Sequence, residues 1–327
     1  MPLSAAKDVL SRALFSDYFV LWLCVLYAAI IAPLTPGFAT PENFGNILAT
    51  LLPLLLVALG QTLVLITGGI DLSVTAIIGL ASIVGALAIN DGNGWLAGQA
   101  LATPAGVLIM LAVGAAVGTF NGVAIACCRM PAFIVTLGSM MAFGGFAVWL
   151  TQSKAINLLP AAFNRLGGNT AVACAITVVA AWFVHIMLSR SLAGRWLYMI
   201  GHNARAAHLS GVPVTGVRIA AYVASGVLAA LASVLYTGQA ETGSPVLGQR
   251  VLLDVIGATV IGGTSLFGGR GKVLWTLFGV LFLKLVDNSL NLLNLSIFSI
   301  TMAKGAVILT AAIVDSARHR LVGRAHA

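Results

Sequence analysis

Residues Ser189 to Gly216 read SRSLAGRWLYMIGHNARAAHLSGVPVTG, the longest polar and basic interruption in a chain that is otherwise almost continuously apolar. The stretch carries Arg190, Arg195, His202, Arg205 and His208 and no acidic residue. Such a segment belongs in water, and on the cytoplasmic side if the flanking sequence spans a membrane. Inside it, Asn203 to Ser210 reads as a short helix. Asn203 is a good N-cap, the alanines at 204, 206 and 207 favour helix, and Gly211-Val212-Pro213 stops it.

Working outward, the rest of the chain has the composition of a membrane protein. Of 327 residues, 60% are hydrophobic and 8% charged. A soluble helical bundle needs a charged face on every helix, and this chain lacks the charges to make them. Apolar stretches run from Tyr18 to Ala32, Ile47 to Thr67, Leu72 to Ile89, Pro104 to Ala126, Ala132 to Leu150 and Thr170 to Leu188. After the basic loop they run from Val217 to Thr237, Val251 to Leu266, Val273 to Leu290 and Ile297 to Val314. The fold class expected is an all-α integral membrane protein of about ten transmembrane helices, in one domain covering 1–327. The first stretch is expected to be a retained helix rather than a cleaved leader. Val251 to Leu266 is short and runs into glycine-rich sequence, so it is expected either to turn back or to be a broken helix.

The basic residues test the orientation. With residues 1–17, 189–216 and 315–327 inside, one face collects Lys7, Arg12, Arg129, Arg190, Arg195, Arg205, Arg218, Arg270, Lys272, Arg318, Arg320 and Arg324. The other collects only Lys154, Arg165 and Arg250. Both termini are therefore expected to be cytoplasmic. Because the charges are spread over many short loops, the net charge of +8 argues for orientation and not for nucleic acid.

Three features exceed what a span needs. Gly68-Gly69-Ile70-Asp71-Leu72-Ser73 breaks the second stretch from the third, and Asp71 is expected to cap the following helix or to serve gating or solute passage. Gly262-Gly263-Thr264-Ser265-Leu266-Phe267-Gly268-Gly269-Arg270-Gly271-Lys272 has the look of a phosphate loop. It is not one, because Val273 follows the lysine and Leu266 stands where the first glycine belongs. Lys284 and Asp287, three apart on one helix, are placed to neutralise one another, and Lys304 shows no local partner. Gly114, Gly118 and Gly122 recur every fourth position and form a groove for close helix packing. The four cysteines, Cys24, Cys127, Cys128 and Cys174, read as buried free thiols without metal spacing, and no catalytic motif, metal site or cofactor site is expected.

Seven stretches in order resemble the membrane-spanning permease subunit of bacterial ABC importers for monosaccharides, of the ribose, galactose and xylose type. They are Gly69-Ile70-Asp71-Leu72-Ser73-Val74, Asn121-Gly122, the run Pro131 to Gly138, the run Gly194 to Gly201, Ala206 to Gly211, Val260 to Gly269 and Asn291-Leu292-Leu293. The resemblance implies a pair of permeases, identical or related, in the inner membrane, with ABC ATPase subunits on the cytoplasmic face, a periplasmic sugar-binding protein outside and membrane lipid around. It also implies that ATP is hydrolysed on another polypeptide.

Gly194, Arg195, Gly201, Asn203, Ala204, Ala207, Leu209, Ser210 and Gly211 then become the expected ATPase-coupling residues, with Ala207 in the packed contact. Asp71, Ser73, Asn121, Thr264, Ser265, Asp287 and Asn288 are the expected pathway or gating residues. Thr75, the sequence His202-Asn203-Ala204 and the Lys284/Asp287 pair depart from the family pattern. An ion-coupled secondary transporter, with Asp71, Lys284, Asp287 or Lys304 holding the ion, is the alternative.

Overall fold

The computed structural model describes residues 18–325, all helix and connection apart from one isolated bridge between Ile156 and Gly243. The expected N-terminal segment 1–17, with Lys7 and Arg12, lies outside the described residues, as do the last two. Twelve helices are described: α1 Phe19–Ile31, α2 Pro41–Ile66, α3 Val74–Ile89, α4 Ala102–Ala126, α5 Ala132–Thr151, α6 Ala161–Gly168, α7 Thr170–Arg190, α8 Leu192–Leu209, α9 Val214–Ala240, α10 Val251–Gly262, α11 Val273–Leu292 and α12 Ile297–Ala325.

Ten of these coincide with the ten apolar stretches. Six, α2, α4, α5, α7, α9 and α11, are long and apolar enough to cross a membrane, while α1, α3, α10 and the apolar part of α12 are shorter. α6 is a brief turn before α7, and α8 is the helix of the basic loop.

α2 is the centre of the bundle. Thr40 caps it, its hydroxyl accepting from the Asn43 N–H at 3.3 Å, and Pro41 occupies the first turn, where no amide is needed. From Leu51 to Ile66 every residue is buried. A lipid-facing helix would leave one side open, so α2 is surrounded by protein on all sides, chiefly by α9, α11, α7 and α10.

α4 and α9 pack backbone to backbone. A Cβ at Gly114 would collide with the Gly226 carbonyl, and one at Gly118 with the carbonyl of Tyr222. At Gly122 it would stand 2.8 Å from the Ile219 Cα. The glycine groove therefore seats the α9 backbone directly, and Gly226 reciprocates against Gly114. Gly144 and Gly145 of α5, by contrast, have open space or a single loose neighbour. Two of the cysteines depart from the expected burial: Cys24 is buried, but Cys127 and Cys128, in the turn after α4, are exposed.

α10 covers only the first part of the stretch from Val251 to Leu266. Its 12 residues rise about 18 Å, well short of the roughly 30 Å hydrocarbon core. The residues before it, 241–250, run along α3 as a series of turns. Ser244 N–H bonds the Ser82 hydroxyl at 3.2 Å, Pro245 lies on Gly79, and Gly248 lies on Thr75. Beyond α10 the chain reaches the inner end of α2, where Gly269 N–H bonds the Ile66 carbonyl at 2.9 Å. The segment runs from beside α3 to the turn after α2. Gly243, Pro245 and Gly248 of this irregular backbone are buried against α3.

Candidate functional site

The turn between α2 and α3 holds a fully buried polar network. Asp71 Oδ1 accepts from the Ser73 N–H at 3.0 Å and the Ser73 hydroxyl at 2.6 Å, and Oδ2 accepts from the Ser225 hydroxyl of α9 at 2.8 Å. Ser73 Oγ in turn accepts from the Asn121 amide of α4 at 2.8 Å, and the Ser139 hydroxyl of α5 donates to Asn121 Oδ1. Tyr222 and Thr136 both donate to the Ile70 carbonyl. Asp71, Ser73 and Asn121 have no exposed surface at all.

This corrects the expectation that Asp71 caps α3. Ser73 occupies the N-cap position, makes no side-chain cap bond, and Asp71 instead ties the turn to α4, α5 and α9. Buried donors stranded by loss of an acceptor are costly, so Asp71→Ala should lower stability by about 3 kcal/mol. Asp71→Asn keeps an acceptor for Ser73, and its cost should stay near 1 kcal/mol. Thermal unfolding of the purified variants in detergent checks the pair, and equal losses would sink the network reading.

The expected pathway residues fall in three separate places. Asp71, Ser73 and Asn121 share the network just described. Thr264 and Ser265 sit in the second glycine turn, where the Thr264 hydroxyl is buried without a hydrogen bond and Ser265 organises the turn through Arg270 and Phe267. Asn288 lies near the C-terminal end of α11 and exchanges two hydrogen bonds with Asn43 of α2, at 2.8 and 2.9 Å.

Asp287 belongs to a charge cluster the sequence showed only in part. Lys304 of α12, read as unpartnered, is 2.8 Å from Asp287 Oδ1 and 3.1 Å from both carboxylate oxygens of Asp254 in the first turn of α10. Lys284 lies 3.9 Å from Asp287. Two acids and two bases cancel, and they bind α10 to α11 and α12. Asp254 was missed because its partner is 50 residues away and no helical spacing relates them.

The basic loop is helical throughout, but it bends at Asn203, whose φ of −162° and ψ of 101° interrupt α8. Asn203 Oδ1 accepts from the amides of Arg205 and Ala206, both at 3.0 Å, so the segment beyond it is a separate capped helix. Gly211, at φ 82°, ends it in the left-handed region where glycine is favoured.

The coupling residues divide by exposure. Arg195, Asn203, Leu209, Ser210 and Gly211 face outward, Leu209 being 82% exposed. Gly194 and Ala207 are buried, Ala207 at 2%, and Ala204 and Gly201 are half-buried. Gly201 touches the Ile66 carbonyl and Gly269 so closely that no side chain fits. Tyr198 donates to the Gly271 carbonyl at 2.7 Å, and burial pushes its phenol pKa up, keeping it a donor. Both glycine turns are thus fastened to the inner side of α8.

The described residues thus form a bundle with six helices long and apolar enough to cross a membrane, and a capped helix in its basic loop. The chain belongs to the family described as branched-chain amino acid transport system / permease component, whose model matches residues 43–313. It is similar to the ribose import permease protein RbsC of Bacillus subtilis, 38% identical over 88% of each chain. The protein of that name from Escherichia coli strain K12 is 36% identical over 88% of this chain and 90% of its own length. The autoinducer 2 import system permease protein LsrC of an Enterobacter species is 32% identical over 90% of this chain and 84% of its own. A comparison with solved structures gives no match. The chain is accordingly an ABC-transporter permease subunit, multi-pass in the bacterial inner membrane, and not the ATP-hydrolysing subunit.

Proposed function

We propose that this permease imports a monosaccharide or related polyol, driven by separate ATPase subunits that seat the helix from Asn203 to Ser210. On this reading it crosses the membrane ten times with both termini in the cytoplasm, the side that collects most of the basic residues. It pairs with a second permease, identical or related, and receives solute from a periplasmic binding protein. The observation that carries the reading is the fastening of α8. The segment beyond the Asn203 bend offers Leu209 outward, while Gly201 and Tyr198 of the segment before it grip Ile66, Gly269 and Gly271. A push on the second segment is passed across the short bend at Asn203 to the first, and from there to the turns that precede α3 and α11.

The secondary-transporter alternative needs an unpaired charge for its ion. Lys284, Asp287 and Lys304 are already neutralised together with Asp254, and Asp71 is enclosed by its own network. Purified in mild detergent from its native membrane, the protein should bring a stoichiometric ATPase with it. Reconstituted with that ATPase and the binding protein, it should take up radiolabelled ribose or a related sugar only when ATP is supplied. A chain that purifies alone and moves solute down an ion gradient without ATP would overturn the proposal.

A further inference from the structure

A cavity of about 490 Å³ opens beside the end of the docking helix, walled by the ends of α2 and α4 and the beginnings of α5 and α9. Arg129 from the α4–α5 turn, Arg218 from α9 and His208 from α8 all line it, and no acidic residue does. Neither arginine has a salt bridge among the described residues, although the quartet around Lys304 shows that this fold pairs its charges where acids are at hand. Thr67 and Thr215 add hydroxyls to the wall.

The same site has an apolar flank. Met130 both lines the cavity and is 44% exposed, and Phe133 and Ile134 follow within a turn on α5, at 55% and 57%. Val123, one turn back on α4, is exposed as well. Ends of four membrane helices set the cavity at the depth of lipid headgroups. Basic pockets between transmembrane helices at that depth suit anionic headgroups.

We propose that this cavity is a binding site for an anionic phospholipid, its phosphate held by Arg129 and Arg218 and its acyl chains lying over Met130, Phe133 and Ile134. A free anion has no use for the apolar flank, and an uncharged headgroup has none for two guanidiniums. The occupant sits against His208 and therefore touches the docking helix from below. The site needs only the membrane embedding of the chain and stands apart from which solute is carried.

The test uses delipidated full-length protein in detergent, titrated with phosphatidylglycerol or phosphatidylcholine and followed by native mass spectrometry and thermal unfolding. One phosphatidylglycerol should be retained with a preference of about tenfold or more over phosphatidylcholine. Arg129→Gln with Arg218→Gln should abolish that preference, and Arg129→Lys with Arg218→Lys should largely keep it. Should the double glutamine variant not fold, Arg129→Gln alone, in an exposed turn, should still weaken the preference severalfold. Equal retention of the two lipids, or an unaltered preference in the glutamine variants, would refute the site. Stabilisation by millimolar inorganic phosphate equal to that by phosphatidylglycerol would assign the cavity to a soluble anion and overturn the lipid proposal.

Discussion

Leu209→Glu is expected to reduce ATP-driven solute uptake by about 100-fold while leaving the permease folded and in the membrane. An apolar side chain 82% exposed, at the tip of a capped helix in an aqueous loop, has nothing of its own chain to cover it. Central apolar anchors of this kind carry roughly 2–4 kcal/mol of an interface, and a carboxylate in their place must also be desolvated. The folded permease loses nothing, since Leu209 makes little contact within it. Uptake in vesicles, the amount of protein in the membrane and co-purification of the ATPase are to be measured together. Normal uptake at normal expression would remove this helix from coupling. Ala207, which the sequence placed in the contact, is the wrong probe: at 2% exposure it packs inward, so a glutamate there would damage the permease itself.

Gly114→Leu should prevent accumulation of folded protein altogether. The α4 and α9 backbones touch at Gly114 and Gly226, so a side chain at either meets a carbonyl and not a movable rotamer. Relief requires the two helices to part, which opens the contacts at Gly118 and Gly122 as well. The expected cost exceeds about 4 kcal/mol, the range reserved for overpacked or disrupted cores. Size-exclusion chromatography of a fluorescent fusion reads the outcome directly. A monodisperse Gly114→Leu protein with wild-type melting would show that the helix contact is softer than the backbone geometry indicates. Gly145→Leu, with open space at its Cβ, is the matched control.

What could be read in advance was whatever depends on local pattern. Ten apolar stretches, the Asn203 cap, the Gly211 stop and the glycine period of α4 are each written within a few residues, because hydrophobic length, capping and helical spacing are local properties. Pairings between distant segments were not legible. Asp71 looked like a cap because Ser225, its third donor, is 154 residues away, and Lys304 looked alone because Asp254 is 50 away. The inward and outward sides of α8 were likewise mixed together, since the face of a helix buried against two glycine turns cannot be known before those turns are placed. Cys127 and Cys128 looked buried by composition and are exposed because the helix ends just there.

The segment from Glu241 to Arg250 has every outward mark of a loop: two glycines, a proline, and a charge at each end. By such marks it would be chosen for an epitope tag, a protease site or a fluorescent insertion. The Ser82, Gly79 and Thr75 contacts seat Gly243, Pro245 and Gly248 against α3, so residues added among them would break those contacts. For anyone mapping this permease by insertion, the most loop-like stretch of the chain is among the least permissive, and a failed tag at that position says nothing about which side of the membrane it faces.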